Sequence, residues 1–521
     1  MKILPLFLLF FIFIQSSSAK EKNPLNFVFN GKCPADYEGC LPYSSLSFRT
    51  ELAAVKDEEI LNRLNDFIAK NPHIFLKPLE VYQINEKPRN FGLRARELLK
   101  KRETYLNITF DYMISNDEIN YEIMFPNLKD TKFPIVPTFN DSYYFLGDKT
   151  GYLPDVFRFI TNFLFHMYHL NESYLKDSLI GLPLDFKQAP IMTMIPPEFT
   201  LFRDLTVGQA TVIYRKETLD AWDYYNIAFE KAWTKAERKL FFNNRLKVNL
   251  DDFVYAFFIM RTRGLSFVKQ NKIVMIPVHF MAKNNDKVLR DNDERYLGQM
   301  IDFHYKMGWD SETNKSSDIA VLAEHAYEKD EPIILNYKTG NTIDLFMFLG
   351  ILPKENPNDC FDYQFFDDKF LRELRLTFGR CVRIKDFKRA YLIGNIMNME
   401  DQSITECKEK TSQVEWNSDE FYTKLDQECV HPKWSKKNDI WINAVDRLEE
   451  SADKLEGIKT TALEYTNYRN SMKLPVENAE LIRNYVDKRI ELTQRYLKEI
   501  KDLKKYSKNK QKESSKKKGE L

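Results

Sequence analysis

This chain of 521 residues lacks the features by which several common functions are recognised. It has no basic excess, because 77 Lys and Arg face 76 Asp and Glu, so the protein as a whole has no charge that attracts nucleic acid. None of its six cysteines are spaced as CxxC, which argues against zinc and thioredoxin chemistry. The sequence also contains no Ser-His-Asp, HExxH, P-loop or Rossmann motif. We therefore predict neither nucleic-acid binding nor a metal site.

Long apolar runs are also scarce, and the most apolar one stands at the N-terminus. Ile3 to Ile14 is almost wholly apolar, and Ser17-Ser18-Ala19 offers small residues for cleavage. This pattern predicts a secretory signal peptide over residues 1–19. The alternative, a membrane anchor, would need about 20 apolar residues. No other segment approaches that length, so no membrane span is expected.

Three further patterns agree with a lumenal protein. The chain ends in Lys518-Gly-Glu-Leu521, which differs from the Lys-Asp-Glu-Leu retrieval signal at one position. The cysteines are even in number, as a disulfide framework requires. Four Asn-x-Ser/Thr sequons begin at Asn107, Asn140, Asn171 and Asn314. We predict a glycoprotein of the endoplasmic reticulum lumen or another part of the secretory pathway.

The cysteines allow a specific prediction of disulfide bonds. Cys33 and Cys40 flank a six-residue loop that a disulfide could close. The remaining cysteines are assigned as Cys360 with Cys381 and Cys407 with Cys429. The alternative is that they are buried free thiols.

Apolar periodicity divides the chain into segments of different character. The expected class is α+β, with small β-sheets, an inserted helical segment and an all-α C-terminal domain. We predict the following parts: an N-terminal extension over 20–80 with a helix over Lys56–Lys70, an α+β domain over 81–359 with helices inserted at about 150–260, a helical domain over 360–503, and a flexible basic tail over 504–521.

Several local patterns near the predicted sheets bear on function. Pro88 to Arg96 is expected to be a glycine-bearing loop that leads into a hairpin, with Thr104–Thr109 as one of its strands. Residues 286–318 are polar and predict a surface insertion. Ile273 to Met281 predicts an apolar strand carrying His279, and a lone histidine there is more often a core residue than a base.

Seven segments occur in an order typical of one protein family. They are Phe91–Arg96 with Lys101–Glu103, Tyr174–Pro183, Arg261–Arg263, Ile276–Asn284, the strand ending at Tyr337, the run Asn341, Gly350 and Asn356–Asp359, and Gly457–Thr461. In this order the chain resembles the SET-domain protein methyltransferases, in the subgroup of the Rubisco large-subunit lysine methyltransferase and the actin-histidine methyltransferase. The resemblance spans roughly residues 80–500.

The resemblance implies S-adenosylmethionine on one face of the domain and the target side chain on the other. Gly92 would let the backbone approach the cofactor, and Asn284 would hold it from the Asn-His position. Arg263 would reach the cofactor carboxylate, or else cap carbonyls at its helix end. Tyr337 would line the acceptor channel as the catalytic residue, or else pack its ring in the core.

The sequence departs from the family pattern where that chemistry would lie. Asn90 replaces the first loop glycine, Lys283 and Asn284 replace the Asn-His pair, and Lys338 replaces a glycine. We therefore predict a protein that binds a polypeptide partner, with a largely degraded methyltransferase motif and no cofactor. The alternative is an active, divergent protein-lysine or protein-histidine N-methyltransferase that uses S-adenosylmethionine.

Overall fold

The computed structural model describes residues 54–84, 90–139, 153–183, 206–267, 272–284, 305–310, 315–323, 325–333, 342–350, 439–472 and 477–519, with the short pieces 352, 360–361, 382–383, 420 and 423–424. Every strand pair in these ranges is antiparallel. The strands form three sheets of three strands and one pair.

The first sheet is attached to helix α1 (Asp57–Lys70), which begins with three acidic residues that complement the helix dipole. Strand β1 (Leu79–Gln83) pairs with β2 (Phe91–Ala95), and β2 pairs with β9 (Pro332–Ile333). The side chain of Asn65 in α1 bonds both backbone groups of Val81, at 2.8 and 3.0 Å. Helix α1 also packs against β1, and its buried residues Ile60, Leu64, Phe67 and Ile68 belong to the main hydrophobic core.

Two further sheets of three strands each are present. The second has the order β3 (Thr104–Thr109), β8 (Lys315–Leu322), β7 (Tyr305–Asp310). The third has the order β4 (Ile114–Ser115), β6 (Lys272–Met275), β5 (Leu265–Phe267). Asn116 extends this pairing by accepting a hydrogen bond from the Ile273 amide at 2.9 Å.

The helices between β4 and β5 supply much of the core. They are α2 (Tyr121–Met124), α3 (Leu153–Tyr168), α4 (Lys176–Leu179), α5 (Thr206–Ala232), α6 (Lys235–Phe241) and α7 (Leu250–Arg263). Tyr225 lies at the centre, with its ring 4.8 Å from Phe229 and 5.3 Å from Phe253. Its hydroxyl is 2.9 Å from that of Thr161 in α3, so the buried phenol is hydrogen-bonded.

The C-terminal helices contact the rest of the protein through helix α8 (Thr342–Leu349). The ring of Phe346 in α8 stacks on Tyr485 at 4.2 Å, and Tyr485 belongs to α10 (Glu477–Gly519). Helix α10 packs along α9 (Asp439–Ser471). Gly350 follows α8 with φ 63°, a left-handed conformation that suits glycine at the end of a helix.

Much of the predicted architecture is confirmed. The α+β class, the small antiparallel sheets and the inserted helices are present. The predicted helix over Lys56–Lys70 corresponds to α1, the helices predicted at about 150–260 to α3 through α7, and the strand Thr104–Thr109 to β3. Among the described residues, no helix combines the length and apolar character needed to cross a bilayer.

Other local predictions were wrong. The segment from Phe91 is strand β2 rather than a loop, and its hairpin partner is β1 rather than β3, because the strand preceding it was not recognised. The polar stretch 286–318 contains β7, which lies at the edge of its sheet, and the start of β8. The predicted strand Ile273–Met281 ends at Met275, and His279–Asn284 is a 3₁₀ helix.

Two corrections concern the C-terminal part. A strand pair, β10 (Cys360–Phe361) with β11 (Val382–Arg383), lies in the region predicted to be all-α. Helix α10 continues to Gly519 where a flexible tail was predicted, because Lys, Glu and Gln favour helix and no proline interrupts them. The predicted signal peptide and the Cys33–Cys40 and Cys407–Cys429 disulfides lie outside the described residues, as does Cys381.

Candidate functional site

Three of the segments that carry the family resemblance converge on one place, the chain that follows strand β6. We call residues 276–284 the turn segment; its second part is the 3₁₀ helix His279–Asn284. It is contacted by α4 and the turn after it, by the end of α7, and by strand β2. The described residues therefore place parts of the predicted cofactor site side by side.

The turn segment contains a strained residue. Val278 has φ 62°, a left-handed conformation that a β-branched side chain rarely adopts. Such a residue costs on the order of 1–3 kcal/mol and persists only where its surroundings hold it. The holding contact comes from the inserted helices, since the buried amide of Val278 donates to the Ser178 hydroxyl at 3.0 Å.

Two more contacts fix the same segment. Arg263, the last residue of α7, is buried, and its Nη1 donates to the carbonyl oxygen of Phe280 at 3.2 Å. Met281 packs against Gly181, where an added Cβ would overlap the methionine methyl group. The guanidinium predicted to meet a cofactor carboxylate thus bonds a backbone carbonyl of the segment itself.

His279 faces the interior. It is 1% exposed, and its Nδ1 lies 3.4 Å from the hydroxyl of Tyr105 in β3. The expected core role of this histidine is therefore supported, although it lies on the 3₁₀ helix and not on a strand.

Gly92 lies on strand β2, directly opposite Tyr82 of β1. A Cβ on Gly92 would be 2.9 Å from a ring carbon of Tyr82, so the aromatic ring covers the glycine. The guanidinium of Arg94 also lies over the Tyr82 ring, 5.2 Å from its centroid, and its Nε donates a hydrogen bond to the Glu80 carboxylate at 2.7 Å. Burial raises the pKa of the Tyr82 phenol, and the nearby Arg94 charge opposes that rise.

The structure thus brings together some of the predicted site residues. Arg263 and the strand of Gly92 both contact the turn segment, and Asn284 is its last residue. Tyr337 lies outside the described residues. Sequence reasoning missed Ser178 and Tyr82, because a lone serine in a short helix and a lone tyrosine before a turn carry no recognisable pattern.

A separate small cavity lies between the β3–β4 connection and α3. Its volume of about 20 Å³ is enough for one water molecule, and its lining includes Asp111, Asn162 and His166. The Nδ1 of His166 lies 2.8 Å from the Ser173 hydroxyl. Burial lowers the pKa of His166 to about 3, so the ring is neutral near pH 7. Among the described residues, no group of His, Cys, Asp and Glu is arranged to hold a metal ion.

We expect Ser178→Ala to destabilise the fold by about 1–3 kcal/mol, because the buried Val278 amide loses its acceptor. Chemical denaturation measures this change. Thr461→Ala is the matched control: its exposed hydroxyl bonds only the Gly457 carbonyl of its own helix, so its effect should stay within about 0.5 kcal/mol. Equal effects of the two substitutions would contradict a holding role for Ser178.

Two glycines should respond oppositely to alanine. Gly92→Ala should destabilise by about 1 kcal/mol, the lower end of overpacking costs, since the half-buried Tyr82 ring can shift. Gly457→Ala should stabilise helix α9 by about 0.5–1 kcal/mol, since its Cβ would meet no atom within 4 Å. Thermal unfolding of both variants checks this. A neutral or stabilising Gly92→Ala would show that Tyr82 does not press on this position.

His166 should make stability depend on pH. Its pKa is lowered to about 3 in the folded chain, from 6.5, so the unfolded chain binds a proton that the folded chain does not. The contribution of neutral His166 to the free energy of unfolding is therefore fully present above about pH 6.5. It falls by up to about 1.4 kcal/mol per pH unit as the pH drops toward 3. Denaturation at about pH 7, 6 and 5 should show a steeper loss for the wild type than for His166→Asn. Parallel pH curves would argue against a buried neutral His166.

Comparison with known proteins bears on the fold. No family model matches the sequence, and a search of curated proteins finds no match. The solved SET domain of LSMT bound to lysine and AdoHcy aligns with a TM-score of 0.51 and 12% identity, covering 87% of this chain and 93% of that one. The same domain bound to MeLysine and AdoHcy gives a TM-score of 0.47 and 13% identity, covering 87% and 92%. The alignment with a TM-score of 0.51 shows that the chain has a SET-domain-like fold.

Proposed function

We propose that this protein uses a SET-like fold to bind a polypeptide in the lumen of the secretory pathway, without transferring methyl groups. Its partner is a protein or peptide, and it uses no cofactor. The lumenal part of the proposal is supported by the N-terminal apolar run, the sequons and the C-terminal Lys-Gly-Glu-Leu.

The observation that carries the proposal is the Tyr82 ring over Gly92. A loop glycine serves a cofactor because the missing side chain leaves room for close approach to the backbone. Here that room is filled from within the protein, by the residue paired with Gly92 across the sheet. Aromatic side chains commonly cover a strand glycine in this way, which gives the glycine a role in the sheet.

Two further residues beside the predicted cofactor site, the candidate Arg263 and the core residue His279, also make internal contacts. Arg263 is 5% exposed and bonds the Phe280 carbonyl, and His279 is 1% exposed against Tyr105. The sequence supplies Lys283 where the family resemblance expects the asparagine of an Asn-His pair. These features favour an architectural use of the turn segment.

The C-terminal helices are the surface that we assign to the polypeptide. Helices α9 and α10 pack against each other, and α10 is joined to the SET-like part through the stack of Tyr485 on Phe346. Both helices bury apolar residues, including Leu455 in α9 and Ile482 in α10, and exposed ion pairs join the two helices, Lys459 with Asp487 and Lys501 with Glu449. A paired-helix surface of this kind can bind an extended or helical peptide.

An active methyltransferase is the second candidate. The observation that favours it is the fixed turn segment, since strain held by surrounding structure is often found at functional sites. The solved LSMT SET domain with a TM-score of 0.51 is bound to lysine and AdoHcy. If this chain is active, S-adenosylmethionine is its cofactor and its product is a protein with an N-methylated side chain.

Calorimetric titration of the full, glycosylated chain with S-adenosylmethionine separates the two candidates. We expect no saturable heat at millimolar ligand, with a cooperative thermal transition showing that the protein is folded. Saturable binding with a micromolar Kd would contradict the proposal. In that event Arg263→Gln should weaken binding if the ligand occupies the predicted site. Arg96→Gln, which removes only exposed ion pairs with Glu80 and Asp330, is the matched control.

A further inference from the structure

The described residues include two of the four sequon asparagines, and the structure treats them very differently. Asn171 is exposed, in the turn that follows helix α3. Asn107 is inside strand β3, where it pairs with Ala320 between the buried residues Leu106 and Ile108. An N-linked glycan is bulky and needs a surface position.

The atoms of the Asn171 amide are suited to carrying a sugar. Its Oδ1 accepts a hydrogen bond from Lys176 Nζ at 2.7 Å, and this oxygen is not the atom to which a glycan attaches. The contact with Lys176 is exposed, so it can rearrange at little cost. Asn107, by contrast, is only partly exposed on a paired strand and its Oδ1 is buried, so a glycan on this amide has less room than one on the exposed Asn171.

The third residue of the Asn171 sequon adds a condition on timing. Ser173 is 6% exposed; its hydroxyl lies 2.8 Å from His166 Nδ1 and accepts a hydrogen bond from the Leu175 amide at 3.1 Å. The sequon is defined by that hydroxyl, so a transferase must reach it. In the folded chain it is enclosed between α3 and the following turn.

We propose that Asn171 is an N-glycosylation site, that the folded protein carries no glycan on Asn107, and that Asn171 is modified before the turn 169–175 closes on His166. The donor is an oligosaccharide linked to a polyprenyl pyrophosphate. Its anomeric carbon–oxygen bond breaks, the pyrophosphate leaves with the electron pair, and Asn171 Nδ2 forms the new carbon–nitrogen bond and loses one proton to a base. This inference rests on the proposed lumenal location and not on the polypeptide-binding function.

Mass spectrometry of the full chain from a eukaryotic secretory host tests the site. Release by peptide N-glycosidase in heavy-oxygen water should label Asn171 as aspartate in most molecules and leave Asn107 unlabelled. Asn171→Gln should remove one glycan. The matched control is Thr109→Ala, which destroys the Asn107 sequon at an exposed position and should remove none.

The outcomes separate site choice from location. A bare Asn171 in a chain that has lost residues 1–19, or an occupied Asn107 in the folded protein, would overturn the choice of site. A chain that keeps residues 1–19 and carries no glycan would contradict the proposed lumenal location, and the inference would fail with it.

The timing is tested with chain made in bacteria, given to purified transferase and the lipid-linked donor. We expect the native chain to remain unmodified at Asn171 and the urea-unfolded chain to accept a glycan after dilution. Equal modification of the two would refute the requirement that the turn be open.

Discussion

The turn segment depends on one constraint: the backbone of Val278 must remain in a left-handed conformation that valine disfavours. The strain is local, but the contact that opposes it is distant in sequence, because Ser178 lies 100 residues earlier. Arg263 and Gly181 hold the next residues of the segment. The segment is therefore shaped by the inserted helices as much as by the strand that precedes it.

The inserted helices can do this because they also form the core. The strands are short, from two to eight residues, and small sheets of this size need packing against another layer to be stable. Helices α3 and α7 are buried on most sides, and aromatic rings around Tyr225 join them. The apolar area that stabilises the domain thus lies largely in the insertion.

The same contacts bear on the proposed function. A SET-like fold that transferred methyl groups would need open space beside its glycine and free polar groups near the turn segment. Here Tyr82 covers Gly92, and Arg263 bonds the Phe280 carbonyl. Such an arrangement gives rigidity to the centre of the fold, which is consistent with presenting a binding surface on the helices beyond it.

The fold class and most buried helices could be predicted from the sequence, because apolar spacing reports which side of a helix faces a core. The order of weak motifs also identified the fold, since Tyr174–Pro183, Arg261–Arg263 and the turn segment do meet in space. Strand β2 was missed because four of its five residues are buried, so it lacks the apolar–polar alternation that indicates a half-buried strand.

By itself, the sequence determined which residue types are available and in what order they occur: one loop-like glycine, an arginine at a helix end, and lysine and asparagine where a cofactor pair would stand. The tertiary structure decided what those residues touch. Gly92 is covered by Tyr82 because strand pairing places the two residues opposite each other. Arg263 hydrogen-bonds the Phe280 carbonyl because α7 ends beside that residue. Both outcomes depend on contacts between residues distant in sequence or across a strand pair, which local composition and periodicity do not encode.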